Sequence, residues 1–289
     1  MSVVTQGHAF VTGGAGGIGF AIASELAAAG MTVTLADLDP QRLATAVASG
    51  GAAVRGEVHH LTDETSRIRA TASAEAASGP ISILVNSAGT GGGGTVGSDD
   101  PRSWKLVMEI NAFGSFLGAN LLVPRMLASG EPCHIVNIAS LSGLYAQPGM
   151  SAYNASKHAL VGLSDTLRLE LANTQVGVSI VYPGAVNTGF ITNRADIIEQ
   201  KLGIRKAGGA DLSAVLASGM DPQALARIVV NGIREKAYHI HTHGGWRAVL
   251  EAHFADKLEG YGDESRFAES QDLALLHAAI NREPEPGQE

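Results

Sequence analysis

The sequence predicts an α/β protein built on a doubly wound parallel sheet, folded as a single domain over residues 1–289. Three observations lead there. Short, continuous apolar runs alternate with longer segments of helical periodicity. The first apolar run ends in a cluster of glycines. Hydrophobic residues make up 45% and charged residues 17% of 289, enough apolar matter for a sizeable core, which excludes a disordered or collagen-like chain.

The elements follow in order. His8 to Thr12 is a strand, and Gly17 to Ala29 has Ile18, Ala21, Ile22, Glu25 and Leu26 at helical spacing before Gly30 stops it. Met31 to Ala36 is a second strand rich in β-branched residues, and Asp39-Pro40 opens a helix that runs to about Ser49. Ala52 to Val58, Ile81 to Val85, His134 to Ala139 and Val176 to Tyr182 continue the strands. Helices are predicted near 63–78, 101–129, 151–173 and 222–235, with a last strand from Ala237 to Thr242. No repeat of 20–50 residues interrupts the series. Residues 189–219 carry glycines at 203, 208, 209 and 219 after a strand end, the pattern of a cover over a substrate site. Residues 244–289 read as a C-terminal extension ending in a polar, proline-spaced tail.

Charge and cysteine content narrow the function. Twenty Lys and Arg stand against 28 Asp and Glu, a formal charge of −8, with no basic block, so nucleic acid is not an expected partner. The lone Cys133 cannot form an internal disulfide and suits a reducing compartment. Met1 to Phe10 lacks a basic, apolar leader, and no uninterrupted apolar stretch has membrane-span length. The expectation is a soluble, cytoplasmic protein without a membrane partner.

Thr12-Gly13-Gly14-Ala15-Gly16-Gly17-Ile18-Gly19 lies between the first strand and the first helix, where a dinucleotide pyrophosphate is held in a Rossmann-type fold. Glycines allow the turn and a close backbone approach. Asp37 closes the second strand 18 residues after Gly19, where a carboxylate can accept hydrogen bonds from ribose hydroxyls and repel an added 2′-phosphate. No Arg or Lys lies in the turn or directly after Asp37, so NAD is expected over NADP. The competing reading is a structural turn with a solvent-facing Asp.

Tyr153 and Lys157 stand four residues apart on one face of a helix. A phenol is a poor base at neutral pH, and a nearby cation favours its phenolate. Such a tyrosine can take the proton of an alcohol while hydride leaves its carbon, or give one to a carbonyl. Ser140, at the end of the strand His134 to Ala139, can hydrogen-bond the same substrate oxygen; alone it would read as the start of a turn.

With these residues the chain resembles the short-chain dehydrogenase/reductase family from about residue 6 to 245. The matches are Thr12-Gly13 through Gly17-Ile18-Gly19, Asn86-Ser87-Ala88-Gly89, Asn111, Ser140 thirteen residues before Tyr153, Lys157, and Pro183-Gly184-Ala185-Val186-Asn187-Thr188. The resemblance implies a catalytic tetrad of Asn111, Ser140, Tyr153 and Lys157. Asn111 would hold a helix distortion and a water in a proton relay to Lys157, and Lys157 would also grip the nicotinamide ribose. Val186 and Thr188 would bind the carboxamide; Asn86, Ala88 and Gly89 would line the adenosine-side pocket. Ser87 stands where a second asparagine is commoner. His59-His60-Leu61 stands where the family often has an acidic and then an aliphatic residue, leaving His60 to supply the adenine contact or the contact to be lost. Family members pair helices equivalent to 101–129 and 151–173, which implies a homodimer or homotetramer.

The substrate pocket is expected among Ser140, Ser142, Tyr145, Gln147, Tyr153, Asn187 and Phe190. His239, His241 and His243 fall on one face of a strand at period two, a spacing that could bind zinc, but the tetrad chemistry needs no Lewis acid and no metal is predicted. Trp246 to Leu258 has amphipathic spacing and resembles a family branch with a C-terminal extension that includes enzymes oxidising benzylic alcohols of lignin-derived aryl ethers. The reading is an oxidoreductase moving hydride between NAD(H) and a small-molecule secondary alcohol or ketone. A non-catalytic NAD sensor would not need Tyr153, and a sugar-nucleotide epimerase or dehydratase would need a larger C-terminal substrate domain.

Overall fold

The computed structural model describes residues 6–92, 94–190, 199, 201–203, 213–260 and 262. The chain divides into two compact units, 1–244 and 245–289.

The first unit holds one seven-stranded parallel sheet. Its strands are β1 (His8–Thr12), β2 (Thr32–Asp37), β3 (Val54–Val58), β4 (Ile81–Asn86), β5 (Cys133–Ile138), β6 (Val176–Tyr182) and β7 (His239–His241), in the order β3-β2-β1-β4-β5-β6-β7. The order reverses between β1 and β4, and a crevice outside the strand ends at such a switch point is where open α/β sheets bind ligands. Parallel pairing sets Thr12 level with Ala36 on one side and with Asn86 on the other, so the three strands deliver their C-terminal residues to one edge.

Alternate side chains feed two cores. Ala9 and Val11 of β1 join Val33, Leu35, Val85, Val136 and Val181 on one face. Helices α1 (Gly17–Ala28) and α2 (Pro40–Gly50) supply Ile22, Leu26 and Leu43 to that core. Phe10 points the other way, with Leu84, Ile135 and Val178. There α3 (Glu64–Ser78) adds Ala70 and Ala74, and α5 (Gly114–Ser129) adds Ala119, Leu122 and Met126. The near-continuous burial of β1 and β5 follows from this double cover.

Aspartates set the starts of several helices. Asp39 caps α2 by accepting from the N–H groups of Gln41 and Arg42, Asp63 caps α3, and Asp100 caps α4 (Pro101–Met108). The predicted helix 101–129 is interrupted by a π-helical turn, Glu109–Phe113, before α5. By length and composition the run 101–129 could cross a membrane, yet Asn111, Ser115, Leu122 and Met126 of this run are buried against the fold. Ser151–Glu170 forms α6. Short α7 (Ser213–Ala217) precedes α8 (Pro222–Arg234), capped by Asp221, whose Leu225, Val229 and Ile233 enter the first core.

The last strand is shorter than predicted. Lys236 adopts φ +56°, and ladder pairing with Ile180, Val181 and Tyr182 is confined to 239–241. The second unit contributes α9 (Arg247–Glu259), a helix with an exposed Arg247–Glu251 ion pair at 2.7 Å. The polar tail and most of 189–219 lie outside the described residues.

Candidate active site

The glycine turn closes over the edge of β1. Thr12 Oγ1 accepts from the N–H groups of Ser87 and Ala88, both at 3.2 Å, tying the turn to the exit of β4. Gly13 has φ +64°, and a Cβ on it would fall 2.8 Å from Ala88 Cα, so no side chain fits there. A Cβ on Gly19 would run into the Gly13 carbonyl, which is how Gly19 brings α1 tight against the turn. Gly16 caps α1 without a side chain, in contrast to the aspartate-capped helices, so the first N–H groups of α1 remain available to a ligand anion. Asp37 lies beside them: its Oδ2 accepts from Ala15 N–H at 3.0 Å and its Oδ1 from Asp39 N–H at 3.3 Å. A Cβ on Gly17 would touch Thr188 Cγ2 at 3.4 Å, placing the residue expected at the carboxamide against the turn. Donors for a pyrophosphate and an acceptor for a ribose diol therefore share one edge, and these residues fit an NAD-type dinucleotide.

The Tyr, Ser and Lys side chains meet at the ends of β4 and β5. Ser140, Asn111 and Lys157 are buried, and Tyr153 is half-buried. Lys157 Nζ lies 5.7 Å from the Tyr153 ring centroid and donates to the Ile138 carbonyl at 2.8 Å. Burial pulls the Lys157 ammonium down to about 8. The sequence predicts a Tyr153 phenol lowered by its lysine; in this arrangement burial raises it, and the group acting the opposite way is the neighbouring Ser140 hydroxyl. Ser140 Oγ itself accepts from Ser142 N–H at 3.1 Å.

Asn111 sits in the π turn and bonds Thr90 reciprocally: Oδ1 accepts from Thr90 N–H at 2.8 Å, and Nδ2 donates to the Thr90 carbonyl at 2.9 Å. Nδ2 also donates to Ser156 Oγ at 2.9 Å, and Ser156 Oγ donates to the Tyr153 carbonyl at 2.8 Å. Gly89 closes the gap between the clusters, since a Cβ on it would lie 3.3 Å from Asn111 Oδ1 and 3.7 Å from Lys157 Nζ. Phe190 meets Tyr153 edge-on, with ring centroids 5.8 Å apart.

Other expected residues divide. Val186 is buried and bridges to Met220, and Asn187 N–H donates to the Met220 carbonyl at 2.9 Å, anchoring the strand exit. The Pro183 carbonyl accepts from Leu141 N–H. Tyr145 is half-buried, and the Gln147 carbonyl accepts from Asn154 Nδ2 at 2.7 Å. Ser142 is buried, and its backbone N–H is the donor to Ser140 Oγ. His60 is exposed beside Leu61, which packs on Gly114. The Asn86 side chain does not face solvent: it is buried, and its Nδ2 donates to Asn137 Oδ1 at 2.9 Å, where α5 covers β4.

The three imidazoles do not share a face either. His239 and His241 stack on Tyr182, at 5.9 and 4.9 Å between centroids. His243 turns away to take Gly184 N–H on Nδ1 at 3.1 Å, with Nε2 3.0 Å from the Ala185 carbonyl, so the zinc reading lacks its third ligand. Thr90, Ser156 and Arg42 escaped the sequence reading, the first two despite adjoining Gly89 and Lys157. Arg42 reaches the glycine turn only through the fold, its Nη2 2.6 Å from where a Cβ of Gly16 would stand.

A nucleotide crevice joined to a half-buried phenol and a buried hydroxyl and ammonium defines an oxidoreductase site of the Rossmann type. The chain belongs to the short chain dehydrogenase family, whose model matches residues 7–197. It is 30% identical over 255 residues to a C alpha-dehydrogenase of Sphingobium sp. strain SYK-6, covering 85% of this chain and 83% of that protein. It is 31% identical to the 1-deoxy-11-beta-hydroxypentalenate dehydrogenase of Streptomyces exfoliatus, over 86% of this chain and 87% of that one. A short chain dehydrogenase/reductase of Burkholderia phymatum, solved in complex with NAD, superposes with a TM-score of 0.83 at 31% identity, covering 90% of this chain and 97% of the other.

Proposed function

We propose that the protein is an NAD-dependent dehydrogenase of secondary alcohols, working in reverse as a ketone reductase. The observation that carries this is the convergence of Tyr153, Ser140, Lys157 and Asn111 beside the glycine turn, with Gly89 in contact range of both Asn111 and Lys157. NAD, when bound, accepts the hydride. The chain's own residues handle the proton. Tyr153 Oη takes it from the alcohol oxygen as the carbonyl forms, or returns it in reduction. Ser140 hydrogen-bonds the same oxygen. Lys157 holds positive charge beside the phenol and would bind the nicotinamide ribose. Asp37 would accept from the adenosine ribose, the amides at the α1 N-terminus would hold the pyrophosphate, and Thr188 and Val186 would hold the carboxamide.

Phe190 against Tyr153 gives the pocket an aromatic wall, which favours bulky or aromatic alcohols. The test is a panel of benzylic alcohols, polyols, steroids and 3-hydroxyacyl thioesters with their ketones, followed at the NADH absorbance band. Turnover of at least one secondary alcohol with NAD is expected; none across the panel, with NAD bound, would favour the sensor reading.

The working form we infer is a homodimer paired across the outer face of α4, the π turn and α6. A shallow cleft of about 360 Å³ runs there between Trp104, Met108, Ala112, Phe116 and Leu163. Phe113 and Phe116 stack at 5.9 Å yet remain 49% and 42% exposed, an apolar patch that a second copy would cover. Sedimentation of wild type and Phe116→Glu tests it. Buried Cys133 suits a cytoplasmic setting.

A further inference from the structure

We propose that Arg42 is a second determinant of cofactor choice, set against Asp37, through which the crevice also accepts a dinucleotide phosphorylated on the adenosine 2′-oxygen. This rests on reading the glycine turn as a dinucleotide site.

By sequence position Arg42 has no claim to the turn, since it stands five residues beyond Asp37 and within a helix. The fold gives it one. Asp39 Oδ1 accepts from Gln41 N–H at 2.9 Å and Arg42 N–H at 3.1 Å, which starts α2 beside the turn and puts Arg42 in its first coil. From there the guanidinium reaches Gly16: a Cβ on that glycine would stand 2.6 Å from Nη2 and 3.7 Å from Cζ. Arg42 therefore supplies a cation at the place where a side chain on residue 16 would project.

Asp37 grips the neighbouring residue. Its Oδ2 accepts from Ala15 N–H at 3.0 Å, so a carboxylate and a guanidinium flank consecutive residues of one turn. Among the described residues, no carboxylate lies within 4.0 Å of the Arg42 guanidinium, and its charge is not consumed by an ion pair. Arg42 is exposed on the rim of a cleft of about 410 Å³ lined also by Ala15, Gln41 and Thr45.

The two groups suit different ligands. A carboxylate accepts from a ribose diol and repels a phosphate, whereas a nearby arginine accommodates the 2′-phosphate. The guanidinium fork matches a phosphomonoester bidentately, and at a half-open rim it can swing toward the phosphate without disturbing the fold. Having both lets the diol use Asp37 and the 2′-phosphate use Arg42, which narrows the NAD preference that Asp37 alone would impose.

The test uses adenosine-side probes, so it needs no knowledge of the substrate. Binding of ADP-ribose and of 2′-phospho-ADP-ribose is measured by calorimetry on wild type, Arg42→Ala, Arg42→Lys and Asp37→Ser. Wild type should bind both. Arg42→Ala should shift the affinity ratio toward ADP-ribose by about 10-fold or more, since a charge-assisted bidentate pair is lost, and Arg42→Lys should shift it less. Asp37→Ser should shift it toward the phosphorylated probe, and adding Arg42→Ala should cancel that gain. Circular dichroism confirms that each variant is folded. Failure of wild type to bind the phosphorylated probe, or an unchanged ratio in Arg42→Ala, would overturn the role of Arg42 while leaving the dinucleotide site intact. Failure of wild type to bind ADP-ribose would overturn the dinucleotide site itself.

Discussion

Asn111 donates from Nδ2 to Ser156 Oγ at 2.9 Å, and through that bond the π turn is fastened to the helix that carries Tyr153 and Lys157. The same amide group holds Thr90 on both its N–H and its carbonyl. One side chain thus fixes three segments that must keep register for proton transfer.

Replacing Asn111 with Ala is expected to leave the buried Thr90 N–H and carbonyl without their partner. The cost should be about 1–3 kcal/mol, read as a lower urea midpoint, and turnover should fall with it. An unchanged midpoint would mean that the turn is held elsewhere.

Tyr153→Phe keeps the ring and its edge-on contact with Phe190 but removes the proton donor. NAD should still bind by calorimetry, while kcat falls by a factor on the order of 10²–10⁴ or more. Near-normal kcat would remove Tyr153 from its role.

Acid should destabilise the fold through two buried histidines. Burial lowers His134 and His59 to about 4, with Arg67 repelling the charged form of His59 as well. Between pH 4 and their ordinary 6.5 the unfolded chain therefore binds the extra protons. Their contribution is complete above about pH 6.5 and is lost as pH falls toward 4, by about 3 kcal/mol for each histidine. Urea midpoints across that range should fall steadily, and His134→Gln should flatten the slope.

Arg67 is buried on α3, and its Nε and Nη1 have no hydrogen-bond partner among the described residues. Arg67→Met keeps the stem and removes the charge. Stability should be unchanged or raised by about 1–2 kcal/mol. The His59 pKa, followed by NMR, should rise as the repulsion disappears. A marked loss of stability would show that the guanidinium has a partner that matters.

Much of this molecule was legible because its signals are local. A parallel sheet covered on both faces writes near-continuous apolar strands, and Asp39-Pro40 marks a capped helix start without reference to anything distant. The glycine turn is legible for the same reason, since Gly13 and Gly19 answer to contacts within one strand–turn–helix unit. Contacts made across the sheet are not. Arg42 meets Gly16 across 26 positions of sequence, and Asn86 turns toward Asn137 across 51. The break at Glu109–Phe113 leaves no mark in the apolar periodicity, because one extra residue in a turn changes the hydrogen-bond ladder more than the pattern of buried faces; what points to a distortion there is the family resemblance, through Asn111. Lys157 favouring a phenolate is a pairwise expectation, whereas burial, a property of the whole pocket, raises the Tyr153 phenol here.

The missing side-chain cap on α1 has a thermodynamic consequence. Aspartates finish α2, α3, α4 and α8 whatever the crevice holds, whereas the first amides of α1 are left to whatever anion arrives. A dinucleotide there becomes, in effect, an interchangeable part of the folded chain, and its affinity is added to the unfolding free energy. At a concentration 100 times its Kd that gain is about 2.7 kcal/mol. Melting the protein in the presence of one nucleotide after another would rank its natural coenzymes before any alcohol that it oxidises is known.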